Sequence, residues 1–75
     1  AAKLTITAGT VTVNGQTAAS GWLVAVGDTL SFAGVTSVQV DGTPLVAGAP
    51  GVVTDTNGKI VSYTIQAGDA AISIN

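Results

Sequence analysis

Apolar and polar residues alternate with a period of two along most of this chain. The alternating segments, which are rich in β-branched residues, are 3–8, 10–13, 29–32, 37–40, 61–66 and 72–75. Alternation of this kind predicts half-buried β-strands. No window has the i, i+3, i+4, i+7 spacing of an amphipathic helix, so we expect an all-β fold. The run WLVAV at 22–26 is apolar at every position, which is typical of a central strand covered on both faces.

Turn signals separate these segments at short intervals. The strongest are three dipeptides whose residues both tolerate the positive φ that the centre of a type I′ hairpin turn requires. These turn-forming pairs are Asn14-Gly15, Asp41-Gly42 and Asn57-Gly58. Gly27-Asp28 and Gly68-Asp69 mark two more turns, residues 47–51 (AGAPG) predict an irregular loop, and Pro44 indicates an edge position. The pattern predicts a small β-sandwich or barrel of seven to eight short antiparallel strands joined by tight hairpins.

The length of 75 residues predicts a single all-β domain over 1–75. Residues 1–9 form either an ordinary first strand or an extended N-terminal strand or arm. Segment 11–15 (VTVNG) also resembles segment 38–42 (VQVDG) at an offset of 27 residues. Two related β-ribbons would explain this repeat, and so would a chance match in a chain rich in Val, Gly and Thr.

Charge is scarce, because only 8% of residues are charged, against about 25% in a typical soluble domain. The chain has two positively charged and four negatively charged side chains, which are Lys3, Lys59, Asp28, Asp41, Asp55 and Asp69. Two lysines cannot neutralise a run of phosphates, which argues against nucleic acid as a partner. No apolar run approaches the roughly 20 residues needed to span a bilayer, which argues against a membrane.

The same scarcity limits the chemistry that we expect. The chain has no His, Cys or Glu, which are the usual groups for acid–base and nucleophilic catalysis. Each Asp lies at or beside a turn, where its carboxylate commonly accepts backbone N–H groups. Asp55 and Asn57 offer calcium-type oxygen ligands, but no further acidic residue follows them. We therefore expect a protein that is not an enzyme, with no catalytic, cofactor-binding or metal-binding residues and no small-molecule substrate.

The polar positions of the predicted strands carry Thr, Ser and Gln where Lys and Glu are usual. Strand edges with so few charges lack a common guard against pairing with other chains. A domain this small without disulfides or metal commonly gains stability from oligomerisation. We therefore expect a homo-oligomer whose faces are covered. The candidate interface residues are Leu4, Ile6, Trp22 and Tyr63.

This composition, rich in Ala, Val, Thr and Gly with almost no charge, resembles that of the small β-rich decoration or capsid-stabilising virion proteins of tailed bacteriophages. The resemblance implies a structural protein of the virion that binds a larger protein shell such as a capsid. It also implies that a terminal segment, here 3–8, augments a sheet of the shell protein.

Two other functions remain open at this point. One is a subunit of another extracellular filament or surface layer, or an immunoglobulin-like spacer, at the cell surface or outside the cell. The other is a small carbohydrate-binding module that stacks sugar rings on Trp22 and Tyr63. If Trp22 is buried in a core or interface, its replacement by Ala should cost about 3–5 kcal/mol.

Overall fold

A computed structural model describes all residues 1–75 and contains ten β-strands in two five-stranded sheets. The strands are β1 (Ala2–Ile6), β2 (Thr10–Val13), β3 (Gln16–Thr17), β4 (Leu23–Val24), β5 (Thr29–Ala33), β6 (Val38–Val40), β7 (Thr43–Pro44), β8 (Val52–Thr54), β9 (Ile60–Thr64) and β10 (Ala71–Ile74). Sheet 1 has the order β4-β1-β10-β6-β7, and sheet 2 has the order β3-β2-β5-β9-β8. The structure has no helix that is long and apolar enough to cross a membrane.

The two sheets share one apolar core of twelve buried residues. Sheet 1 contributes Leu4, Ile72 and Ile74, and sheet 2 contributes Val11 and Leu30, all with 1% or less of their surface exposed. Burial alternates along the longer strands, as in β1, because successive side chains point to opposite faces of a sheet. The predicted all-β, sandwich-like fold is therefore confirmed.

The strand count and connections differ from the prediction of seven to eight hairpin-linked strands. Only three connections are hairpins within one sheet, namely β2–β3, β6–β7 and β8–β9, and the other six cross between the sheets. The pairing is not all antiparallel either, because β1 and β10 run parallel with Leu4 opposite Ile72. Alternation marks which side chains face inward, but it does not tell which sheet a strand joins.

The first strand is an interior strand. β1 lies between β4 on one side and β10 on the other. Beyond the strand, the Thr7 N–H donates to the Ile74 carbonyl at 2.9 Å. Residues 2–7 are therefore tied into sheet 1 and are not a free arm that could extend a sheet of another protein.

The apolar run at 22–26 was expected to be a central strand, and the structure corrects this. Its residues Leu23 and Val24 form the two-residue edge strand β4, with Leu23 68% exposed and Val24 2% exposed. After Val24 the chain leaves sheet 1 and enters β5 of sheet 2. An apolar run is ambiguous in this way because periodicity cannot separate a covered strand from an exposed one whose outward residues happen to be apolar.

Two of the three predicted hairpin dipeptides have type I′ geometry. Asn14 and Gly15 have φ of 51° and 85°, and Asp41 and Gly42 have φ of 51° and 81°. These turns join β2 to β3 and β6 to β7, which are edge hairpins of opposite sheets. The offset of 27 residues in the sequence therefore relates two structurally similar hairpins.

The third dipeptide forms a different turn. Gly58 has a φ of 79° but Asn57 does not have a positive φ, so the type I′ prediction is wrong there. The Gly58 N–H donates to the Asp55 carbonyl at 3.0 Å, and the Asp55 N–H donates to the Lys59 carbonyl at 2.9 Å. This is a three-residue loop in which a turn is followed by a left-handed glycine. The Asp55 carboxylate accepts the N–H groups of Asn57 and Lys59, and these two hydrogen bonds give Asp55 a structural role in the turn.

Candidate functional site

The outer face of sheet 2 is a continuous uncharged surface. The strand registers place one residue from every strand in a single transverse row: Thr17, Thr12, Ser31, Ser62 and Val53. Thr29 and Thr64 form a second pair opposite each other on β5 and β9. Neighbouring strands are about 4.8 Å apart, so the row presents closely spaced hydroxyl groups across four of the five strands and ends in Val53 on β8. We call this surface, made of the residues just named, the hydroxyl face.

Side chains that are charged at neutral pH are almost absent from the strands of both sheets. Sheet 2 has none, and sheet 1 has only Lys3, on β1. The other charged side chains lie in the turns between strands. Neutral hydroxyl groups lose less solvation energy than ammonium or carboxylate groups when a surface is covered. Both faces are therefore inexpensive to desolvate, as the sequence predicted for their polar positions.

The edges of both sheets are formed by very short strands. The edge strands β3, β4 and β7 have two residues each, and β8 has three. Pro44 also removes a backbone donor from β7, as its edge position predicted. Very short edge strands and edge prolines are common devices against pairing with other chains. The expectation of unguarded edges is therefore corrected, and the sheet faces are the larger exposed surfaces.

The four candidate interface residues lie in different environments. Leu4 and Tyr63 are 0% and 3% exposed and belong to the chain's own core. Neither side chain is available to a partner of the folded chain, so the interface expectation is corrected for both. Ile6 is half-buried and packs against the same core. Trp22 is 38% exposed, and it adjoins Leu23 at 68% exposed on the edge of sheet 1.

Tyr63 has a structural role at one end of the core. Its hydroxyl donates to the Asp69 carboxylate, and the same carboxylate oxygen accepts the Gln66 N–H at 2.8 Å. Burial, and then the hydrogen bond and charge of Asp69, raise the pKa of Tyr63 to about 12. Because the ring is buried, Tyr63 and Trp22 do not form the two-aromatic sugar platform that the sequence left open.

Two Gly-Asp corners carry the chain from one sheet to the other near Tyr63. In residues 25–28, the Ala25 N–H donates to the Asp28 carboxylate at 2.9 Å and the Asp28 N–H donates to the Ala25 carbonyl at 3.0 Å. Residues 66–69 repeat this pattern with Gln66 and Asp69. Gly27 and Gly68 both have a φ of 91°, which the third position of a type II turn requires.

The two corners lie at the same end of the sandwich. They pair through backbone hydrogen bonds, from Gly27 N–H to the Ile65 carbonyl and from Ile65 N–H to the Asp28 carbonyl, both at 2.9 Å. The carboxylate of Asp41 reaches the same end, where it accepts the Ala71 N–H at 2.8 Å. We call this the corner end. It holds three carboxylates, but no group of three or more ligands close enough to share a metal ion.

The Asp28 carboxylate is held in its charged form. Its hydrogen bond from the Ala25 backbone, followed by that from the Asn14 side chain at 3.0 Å, lowers the pKa of Asp28. Asn14 in turn accepts the Thr29 N–H at 3.0 Å. The hairpin turn and the corner are thus linked through side chains, which the sequence pattern of isolated turns did not reveal.

A cavity of about 290 Å³ lies at the opposite end. Its lining residues are Val35, Thr36, Ser37, Val38, Pro44, Leu45, Gly58, Lys59 and Ile60. We call this the cavity end. The sequence did not predict it, because residues 58–60 meet the β6–β7 region, residues 35–38 and 44–45, from a distant part of the chain.

The chain matches no protein-family model, no curated protein and no solved structure.

Proposed function

We propose that this chain is a non-enzymatic structural protein that associates with copies of itself and covers a larger protein shell. The proposal includes the role of a capsid-stabilising decoration protein of a virion. Association occurs through the sheet faces, above all through the hydroxyl face, and not by adding strands to the sheet edges.

One observation carries this proposal: nine of the ten strands have no side chain that is charged at neutral pH, and the hydroxyl face has none at all. The solvent-exposed faces of a soluble monomeric domain usually carry interspersed charges of both signs, which keep the protein soluble and prevent its association. A face without them costs little to desolvate and has no like charges to repel an identical face. The short edge strands direct contacts to these faces.

The mass of the purified chain over a range of concentrations tests the proposal. Sedimentation equilibrium or light scattering should give an oligomer, or a mass that rises with concentration. Ser31→Lys puts one charge in the centre of the hydroxyl face and should lower that mass. Ala47→Lys adds the same charge in an exposed loop and should leave it unchanged, and circular dichroism checks that both variants fold.

The result that contradicts the proposal is also defined. If the unmodified chain remains a monodisperse monomer at high concentration, or if Ser31→Lys associates as the unmodified chain does, the hydroxyl face is not an association surface.

A second function, a spacer module in an extended extracellular protein or filament, is favoured by one separate feature. Because β1 and β10 are parallel, Ala1 lies at the corner end and Asn75 at the cavity end. A chain that enters one end of a domain and leaves at the other is what a serial spacer needs. Two copies joined directly as one polypeptide should then unfold with the stability of the single domain, and a loss of folding in the tandem chain would argue against a spacer.

A further inference from the structure

Three turn dipeptides of this chain pair an amide or carboxyl side chain with a following glycine. They are Asn14-Gly15, Asp41-Gly42 and Asn57-Gly58. In such a pair the glycine nitrogen can attack the side-chain carbonyl carbon (Cγ) of the preceding residue, because glycine has no Cβ to shield its nitrogen. The attack needs a side chain that is free to turn towards that nitrogen and a loop that can open locally. The three dipeptides differ in both respects.

The first two dipeptides have side chains that are held by the rest of the fold. The Nδ2 of Asn14 donates to the Asp28 carboxylate at 3.0 Å, and its Oδ1 accepts the Thr29 N–H at 3.0 Å. The Asp41 carboxylate accepts two backbone N–H groups of the corner end, and an ionised carboxylate is a poor electrophile. Neither side chain can reach the following nitrogen without losing these hydrogen bonds.

The third dipeptide has a free side chain. The amide of Asn57 is exposed and makes no hydrogen bond within the molecule. The N–H of Asn57 donates to the Asp55 carboxylate at 2.9 Å, which holds the main chain but leaves the amide free to rotate. The attacking nitrogen, that of Gly58, donates to the Asp55 carbonyl at 3.0 Å. A Cβ at Gly58 would have nothing within 4 Å, so the surroundings of this residue are open.

The hydrogen bonds that must open decide which asparagine reacts first. Asn14 must lose two side-chain hydrogen bonds, one of them to a charged carboxylate. Asn57 requires the opening of one neutral backbone bond, that of the Gly58 N–H, whereas the Gly15 N–H has no backbone acceptor to lose. The neutral bonds balance each other, and the bond to the exposed carboxylate remains as the difference. Taken at the lower limit for a charged partner, it favours reaction at Asn57 by about tenfold.

We infer that Asn57 is a site of spontaneous deamidation, with water as the only co-reactant. The Gly58 nitrogen gives up its proton and bonds to Cγ of Asn57, while the Cγ–Nδ2 bond breaks and ammonia leaves with a proton. The product is a five-membered succinimide. Water opens this ring at either of its two carbonyls, so residue 57 becomes aspartate or isoaspartate. The net reaction is hydrolysis of an amide, and nothing is oxidised or reduced.

The modification changes the loop between β8 and β9 in charge and in length. It adds one negative charge to a chain whose formal net charge is −2, two residues from Asp55. The isoaspartyl form also inserts a methylene group into the main chain of a loop that is closed by the hydrogen bond from the Asp55 N–H to the Lys59 carbonyl. Because β8 is the edge strand of sheet 2, the change falls at a sheet edge. The inference concerns a single copy and is independent of the proposed function.

Timed incubation of the folded chain at mildly alkaline pH tests the inference. A protease that cleaves before aspartate places the two asparagines in separate peptides, 1–27 and 55–68, and mass spectrometry measures the exchange of NH for O in each. A new cleavage before residue 57 marks the aspartyl product, whereas the isoaspartyl product resists cleavage there. Residue 57 should convert about tenfold faster than residue 14.

The unfolded chain is the matched control. Both asparagines follow a β-branched residue, Val13 or Thr56, and both precede glycine. In urea the two rates should therefore converge, which would show that the fold and not the dipeptide sets the difference. The inference is overturned if residue 14 converts as fast as residue 57 in the folded chain. It is equally overturned if residue 57 stays intact in the folded chain while the unfolded chain reacts.

Two variants test the physical reasons. Gly58→Ala places a methyl group beside the attacking nitrogen and should slow conversion of residue 57 without changing that of residue 14. Asp28→Ala frees the Asn14 amide and should raise the rate at residue 14 towards that at residue 57. Circular dichroism checks that both variants fold. Conversion of residue 57 at an unchanged rate in folded Gly58→Ala would contradict the succinimide route, and an unchanged rate at residue 14 in folded Asp28→Ala would contradict the protection by Asp28.

Discussion

Replacement of Tyr63 by Phe removes one hydroxyl group from the end of the core and leaves the ring in place. The ring is 3% exposed, and its hydroxyl donates to the Asp69 carboxylate. A hydrogen bond to a charged group contributes about 1.5–3 kcal/mol. Asp69 keeps its bond from the Gln66 N–H, and its carboxylate stays close to water, so we expect a loss near the lower limit, about 1–2 kcal/mol at neutral pH.

The pH dependence of this variant gives a second, independent measurement. The pKa of Tyr63 is raised to about 12 in the folded chain, first by burial and then by Asp69, against about 10 in the unfolded chain. The unfolded chain therefore releases the phenolic proton first as pH rises. Stability linked to Tyr63 is fully present below about pH 10 and is lost as pH rises towards 12. Two pKa units correspond to about 2.7 kcal/mol, and because water near the hydroxyl screens the charge of Asp69, the linked stability is well below this limit.

Urea unfolding followed by circular dichroism at neutral pH and between pH 10 and 12 measures both effects. For a domain with a slope near 1 kcal/mol per molar urea, the midpoint of Tyr63→Phe should lie about 1–2 M lower at neutral pH. The difference between the two chains should shrink as pH approaches 12, because Phe has no proton to lose. Tyr63 is the only tyrosine, so near-ultraviolet phenolate absorbance reports its ionisation alone.

Asp69→Asn is the matched control, because it keeps an acceptor oxygen near Tyr63 and removes the negative charge. It should lower the pKa of Tyr63 from the value in the unmodified chain. The reasoning is refuted if phenolate forms near pH 10 in the folded chain, or if Tyr63→Phe and the unmodified chain unfold at the same urea concentration at neutral pH.

Three further predictions concern the turns and the exposed tryptophan. Gly9→Ala should cost about 2 kcal/mol or more by urea unfolding, because φ is +79° and a Cβ would lie 2.7 Å from the Ala33 carbonyl oxygen; Gly21→Ala, with nothing within 4 Å, should cost only about 1 kcal/mol. Asp28→Asn should lower stability at neutral pH, and the deficit should fade in an acid titration below about pH 4, since a lowered pKa contributes stability that is lost as pH falls through its folded value. Trp22→Ala should cost about 1–2 kcal/mol by circular dichroism, less than the 3–5 kcal/mol expected of a buried ring, because Trp22 is 38% exposed; a larger loss would show that the monomer relies on it.

Local physical chemistry is sufficient to predict several features of this protein. The alternation of Leu4, Thr5 and Ile6 predicts a strand with one inward face, because successive side chains in a strand point to opposite sides. Asn14-Gly15 predicts a type I′ turn, because few other residues accept two successive positive φ angles. The sequence also shows that every charged side chain except Lys3 lies in a predicted turn, and hence that the sheet faces are nearly free of charge.

The predictions from the sequence were wrong where the burial or turn type of a residue depends on other parts of the chain. Tyr63 and Trp22 are both aromatic residues in β-prone segments, yet the structure buries one and leaves the other half-exposed, because burial depends on what the opposite sheet supplies. Asn57-Gly58 has the same composition as Asn14-Gly15, but the Asp55 carboxylate selects a different turn. The cavity end forms only because segments near 36, 45 and 59 meet.

The sequence by itself thus determined that the chain forms short strands, where most of the turns between them lie, and that the strand faces carry almost no charge. These features follow from backbone dihedral preferences and a two-residue period, which act over a few residues. Only the tertiary structure decided that β1 and β10 pair in parallel, that six connections cross between the sheets, and that the Gly-Asp corners and the cavity lie at opposite ends. Strand pairing depends on packing between segments that are distant in the sequence, as β1 and β10 are. A local sequence pattern does not contain information about such distant partners.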